Sequence, residues 1–126
     1  PALTLWTDAG IKTNESWYQD GKKHRTNAPA LTLWTDAGTT EKWYQDGKFH
    51  RTDGPAYTRW TAAGIKTQEC WYQEGKEHRT DGPARTTWDA TGIKTDECWF
   101  QEGKEHRIDG PAFTRKLVSR RKGASY

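Results

Sequence analysis

Four histidines recur at near-constant distance: His24, His50, His78 and His106 follow one another at steps of 26, 28 and 28 residues. Glu15, Glu41, Glu69 and Glu97 keep the same pace, and the two cysteines, Cys70 and Cys98, lie 28 residues apart. Imidazole, carboxylate and thiol are the groups that bind metals or move protons. Their regularity argues against both uses. An active site is one constellation in one pocket, whereas a group repeated in every unit reads as part of the frame. Ser16, Ser119 and Ser125 stand where no repeated histidine would activate them as nucleophiles. Each glycine stands singly, so no phosphate-cradling loop is formed. No catalytic residue, cofactor site or metal site is expected.

The elements behind these files are short strands. Tryptophan runs in two columns, Trp6, Trp34, Trp60, Trp88 and Trp17, Trp43, Trp71, Trp99, and Pro-Ala pairs recur at 1–2, 29–30, 55–56, 83–84 and 111–112. One unit reads W-Y-Q-[DE]-G-K-x-H-R-x-D-G-P-A-x-T-x-W, then a turn, then K-T-x-E-x. A fixed period of this length marks a repeat architecture. Runs such as 30–34 and 41–45 are rich in Thr and aromatics, as strands are. Asp20-Gly21, Asp46-Gly47, Glu74-Gly75 and Glu102-Gly103 are tight-turn dipeptides. Ala-Gly or Thr-Gly pairs at 9–10, 37–38, 63–64 and 91–92 mark a second turn. Asp53-Gly54-Pro55 and its equivalents mark a third break, expected as a bulge because proline cannot donate to a ladder. The second unit is two residues shorter in its loop, which preserves every side chain's face in a structure of period two. The fold class expected is all-β: a tandem stack of antiparallel β-hairpins in a single elongated, twisted meander sheet. It holds about four repeats of 26–28 residues plus a capping strand, over residues 1–115.

Alternation assigns faces. Ala, Thr and Trp of each first strand share one side and are the same in every unit, as packing against an identical neighbour demands. The intervening positions drift: Leu3 and Leu5, Leu31 and Leu33, Tyr57 and Arg59, Arg85 and Thr87, Phe113 and Arg115. That face reads either as a contact surface or as a plain solvated face. A two-residue turn at Asp20-Gly21 sets Trp17 opposite His24, and likewise Trp43–His50, Trp71–His78 and Trp99–His106. These Trp and His files are the expected structural core of the repeat, imidazole packing on indole. Like positions in successive hairpins lie two strands, about 10 Å, apart. Zinc–nitrogen bonds are about 2 Å and a disulfide needs Cα atoms within about 7 Å. The histidines therefore cannot share one ion, and both thiols are expected to be free.

Leu, Ile, Val and Phe number only 13 of 126 residues, while 8 Trp and 5 Tyr carry most of the apolar area. Such rings suffice only if neighbouring units share them. Arg115, Lys116, Arg120, Arg121 and Lys122 fall in the last twelve residues, which hold no acid. Without them the body has 15 basic and 17 acidic residues, a balance with no strong nucleic-acid signal. Residues 116–126 are expected to form a basic cap or tail. No stretch is long and apolar enough to cross a membrane as a helix, and no signal-peptide core is present. With two free thiols, this favours a cytoplasmic setting. The opening Pro1-Ala2, a pair internal to the repeat, has the look of a piece of a longer array.

The motif Gly-Lys-x-His-Arg-x-Asp-Gly-Pro-Ala with Trp-Tyr-Gln-Asp-Gly resembles the MORN-like hairpin repeats of many bacterial and large-virus proteins, over roughly residues 1–115. Two departures are a longer unit and His-Arg-x-Asp-Gly-Pro in place of a Gly-x-Gly step. The resemblance implies stacked antiparallel hairpins used as a scaffold, in protein contacts or near membranes. Trp-Tyr dipeptides in hairpin arrays also resemble choline- and wall-binding repeats, which implies aromatic platforms for glycans or quaternary ammonium groups. The expected function is thus a non-catalytic scaffold or protein-interaction module, with glycan or cell-wall binding as the alternative. The expected partner is a protein, with self-association through open strand edges as a further route.

Overall fold

A computed structural model describes residues 2–106 and 113–115. The expected basic cap from Lys116 onward lies outside the described residues. The strands are β1 (Ala2–Trp6), β2 (Lys12–Gln19), β3 (Lys22–Lys23), β4 (Leu31–Thr35), β5 (Gly38–Lys42), β6 (Tyr44–Gln45), β7 (Lys48–Phe49) and β8 (Tyr57–Thr61). They continue as β9 (Lys66–Cys70), β10 (Tyr72–Gln73), β11 (Lys76–Glu77), β12 (Arg85–Trp88), β13 (Lys94–Cys98), β14 (Phe100–Gln101), β15 (Lys104–Glu105) and β16 (Phe113–Arg115). The fold is all-β, a stack of antiparallel hairpins in a large open sheet, with no helix among the described residues.

Each unit contributes two hairpins to two different rows. The long strands join in the order β1-β2-β4-β5-β8-β9-β12-β13-β16 and form the broad sheet. The short hairpins β6–β7, β10–β11 and β14–β15 leave that sheet, as does the end of β2 with β3. They form a second row, tied step by step through the backbone. The N–H groups of Gly47, Gly75 and Gly103 donate to the carbonyls of Lys23, Phe49 and Glu77, each at 2.9 Å. Those of Arg25, Arg51 and Arg79 donate to Tyr44, Tyr72 and Phe100 at 3.1–3.2 Å. The single meander expected from sequence is therefore accompanied by this second row. The Asp-Gly-Pro segments at 53–55 and 81–83, expected as bulges, lie outside any strand and carry the chain from one row back to the other, and the one at 109–111 lies outside the described residues.

The turns follow from their residues. Asp20, Asp46, Glu74 and Glu102 have φ of 50–53°, and the glycines after them 78–82°. Positive φ at both central positions is the two-residue turn whose twist matches the strands it joins. The other turn comes in two forms. In the long units an extra residue bulges from β2, β9 and β13, so that Trp6, Trp60 and Trp88 pair with Lys12, Lys66 and Lys94. In the second unit Trp34 pairs with Thr39 and the register runs without a shift. The two missing residues are thus one from the loop and one from the bulge. Both leave Glu41 on the face of its counterparts.

The most buried side chains are small. Ala30, Ala56 and Ala84 are 0% exposed, and Ser16, Leu31, Thr32, Thr58, Thr86, Cys70 and Cys98 are also buried. The indoles are half-buried, apart from Trp6 on the outermost strand, which is 59% exposed. A backbone N–H of Trp17, Trp43 and Trp71 donates to the carbonyl of Ala30, Ala56 and Ala84 respectively, at 2.6–2.7 Å.

Candidate functional site

The expected Trp–His pairing exists at the backbone: His24, His50, His78 and His106 donate N–H to the carbonyls of Trp17, Trp43, Trp71 and Trp99. The imidazoles also reach the next unit. Nδ1 of His24, His50 and His78 accepts the backbone N–H of Asp46, Glu74 and Glu102, all at 3.1 Å. These acceptors hold the first central residue of the next unit's turn, the one at positive φ. Each of these three histidines is a clasp between units, and among the described residues no three metal-ligating groups come together. His106 is exposed.

Arginine lies over the indole. The guanidinium carbons of Arg25, Arg51 and Arg79 lie 4.1, 3.8 and 4.0 Å from the ring centres of Trp17, Trp43 and Trp71. The same guanidinium donates to the carbonyl of Pro29, Pro55 or Pro83. Arg51 and Arg79 also pair with Asp53 and Asp81 at 3.0 Å. The signal for this in the sequence is the arginine that follows each histidine. The indole N–H groups of Trp17, Trp43 and Trp71 are buried with no acceptor, a cost of about 1–3 kcal/mol each that the stacked cation offsets.

The drifting positions divide into two rows. Leu3, Leu31, Tyr57 and Arg85 alternate with Ser16, Lys42, Cys70 and Cys98 across the strands. This row packs against the short hairpins. Tyr57 meets Phe49 edge-on at 6.4 Å, and Phe49 is stacked between Tyr44 and Tyr72 at 4.7 Å on either side. Arg85 donates to Glu77 at 2.6 Å and lies over the Phe100 ring at 5.4 Å. Leu31 is buried, while Leu3 at the outermost strand is half exposed. The other row, Leu5, Leu33, Arg59 and Thr87, has partners Asn14, Thr40, Gln68 and Asp96 and remains accessible, with Leu5 and Arg59 exposed. Phe113 and Arg115 are on β16, opposite Cys98 and Asp96.

The opposite face carries two files of note. One alternates Glu15, Thr32, Glu41, Thr58, Glu69, Thr86, Glu97. Beside it run the Trp6-type indoles with the lysines that face them. Lys12 sits between two rings, 5.3 Å from Trp6 and 5.6 Å from Trp34, and 3.5 Å from Glu15. Lys66 and Lys94 pair with Glu69 and Glu97.

Cys70 and Cys98 are free and buried, on strands either side of β12 and both in register with Arg85. Burial pushes the Cys70 thiol up to about 11 from an ordinary 9.0, and Glu77's charge adds to the rise. A hundredfold drop in thiolate is expected from that shift. Iodoacetamide at pH 8 should label Cys70 about a hundred times more slowly in the folded protein than in urea, read by peptide mass. The unfolded chain releases this proton near pH 9 and the folded one near 11. Stability therefore falls as pH rises through that window.

Comparison with known proteins returns no match to a family model, to a curated protein or to a solved structure.

Proposed function

We propose that this chain is a non-catalytic repeat scaffold that presents the accessible row of its broad sheet to a protein partner. The observation that carries this reading is where the reactive groups go. The imidazoles of His24, His50 and His78 clasp the next turn, and the guanidiniums of Arg25, Arg51 and Arg79 cover an indole and a proline carbonyl. The same few bonds repeat at each step, which is how a quasi-one-dimensional array is held together. The accessible chemistry that changes from unit to unit is the row Leu5, Leu33, Arg59 and Thr87. Its mixture of aliphatic and basic groups suits a polypeptide surface. The MORN-like motif supports the same reading. A photo-crosslinking residue at position 59 should capture a defined protein from cells, and one at Lys22, exposed on the row of short hairpins, should not. Leu33→Asp should abolish that capture. Equal labelling at both positions would dismiss the reading.

A second reading, binding of glycans or quaternary ammonium groups, is favoured by one observation: the Trp6 column is accessible, with Trp6 itself largely exposed. Trp17, Trp43 and Trp71 lend it no platform, since arginine covers those rings. Choline or chitooligosaccharide titrations that quench Trp6 fluorescence, and that fail in Trp6→Ala, would support it.

A further inference from the structure

The second unit differs from the others at one place on the indole face. In the first, third and fourth units a lysine stands three residues before the glutamate and pairs with it: Lys12 with Glu15, Lys66 with Glu69, Lys94 with Glu97. Three residues before Glu41 is Gly38, and the position between Trp34 and Trp60 belongs to Thr39, which is in register with both. The loss of the bulge and of one loop residue removes the lysine without moving the rings or the carboxylate. A cleft of about 430 Å³ follows, with Trp34 and Trp60 as walls and Glu41, Thr39, Gly38 and Gly64 among its lining residues.

We propose that this cleft binds a primary alkylammonium group, the lysine side chain of a partner polypeptide. The protein itself supplies the template. In the first unit Lys12 sits between Trp6 and Trp34 with its nitrogen within 6 Å of both ring centres and beside Glu15. Two indole faces attract a cation through their quadrupoles, and the adjoining carboxylate supplies the counter-charge. The four-carbon stem of a lysine lies along the same rings and buries apolar surface there. Burial raises the pKa of Glu41, with the charge of Arg51 acting in the opposite direction. An ammonium beside the carboxylate offsets that desolvation. The arrangement selects against neutral ligands, because an uncharged side chain would leave the half-buried Glu41 carboxylate with only the charge of Arg51, which makes no ion pair with it, to oppose its desolvation.

Only the source of the lysine rests on the scaffold reading. The cleft can bind or fail to bind an ammonium whether or not position 59 crosslinks a partner, so the two readings fail separately. The test titrates Nα-acetyl-lysine methylamide, its norleucine counterpart and choline into the full chain, following the indole N–H resonances of Trp34 and Trp60. The lysine derivative is expected to shift both resonances saturably and the norleucine derivative to shift neither. Glu41→Gln should weaken binding about tenfold, the scale of one charge-assisted contact. Thr39→Lys places the chain's own ammonium between the rings, as Lys12 does. It should abolish binding and move both indole resonances toward their bound positions with no ligand added. Equal binding of the norleucine derivative, or undiminished binding by Glu41→Gln or a folded Thr39→Lys, overturns the proposal. Choline binding tenfold or more tighter than the lysine derivative overturns the lysine assignment in favour of a quaternary headgroup.

Discussion

Gly38→Ala is expected to destabilise the protein by more than about 3 kcal/mol, well beyond the matching change at Gly64. Two effects add at Gly38. Its φ is +140°, a region L-residues rarely enter. A Cβ there would also lie 1.9 Å from the Trp60 carbonyl oxygen and within 3 Å of the Thr61 backbone. The obstacle is the backbone of β8, which is hydrogen-bonded on both sides and has nowhere to go. Gly64 has φ of +85° and open space around it, so alanine there meets only the intrinsic left-handed penalty of about 1–2 kcal/mol. Urea unfolding of the two variants, with the slope unchanged, measures the difference. Equal losses would mean that β8 does not approach the turn so closely, and that the shortened unit is closed in some other way.

Arg51→Ala should cost about 2–4 kcal/mol, from the sum of a cation–π contact and its hydrogen bonds. The guanidinium lies 3.8 Å over Trp43, donates to Asp53 and to the Pro55 carbonyl, and covers Gly54. Removing it uncovers an indole whose N–H is already without an acceptor. Arg51→Lys keeps the charge but lacks the planar fork, so it should recover less than half of the loss. Arg25→Ala should be milder. Asn27 stands where the third unit boundary has Asp81, and the Arg25–Pro29 bond is longer, at 3.4 Å. Thermal melts of the three variants rank these effects. Arg25→Ala matching Arg51→Ala would remove the carboxylate from the account.

Period-two alternation and turn chemistry carried most of the fold. The type of turn at Asp46-Gly47 is dictated by which residues tolerate positive φ, and the sharing of one face by Ala56, Thr58 and Trp60 follows from the pleat. Proline at 55 was a weaker guide. It marks a place with no ladder bond, which a bulge and a crossing between rows both satisfy. Register sets His50 opposite Trp43, yet register alone does not tell where the imidazole points. The candidate contact face was one set of alternating positions in sequence and became two rows, one under the short hairpins and one open.

What the residues decided on their own is everything that acts within a few positions along the chain: the repeat, the strands, the turns and the two faces of each strand. The folded arrangement decided which way the short hairpin leaves the broad sheet at Trp17, Trp43 and Trp71. That direction places arginine on the indole, and covers Leu31 while leaving Leu33 accessible. It is set by bonds that reach 22 or 24 residues ahead, such as His24 to Asp46 and His50 to Glu74. Local propensity is silent about these because a neighbouring unit must already be in place to accept them.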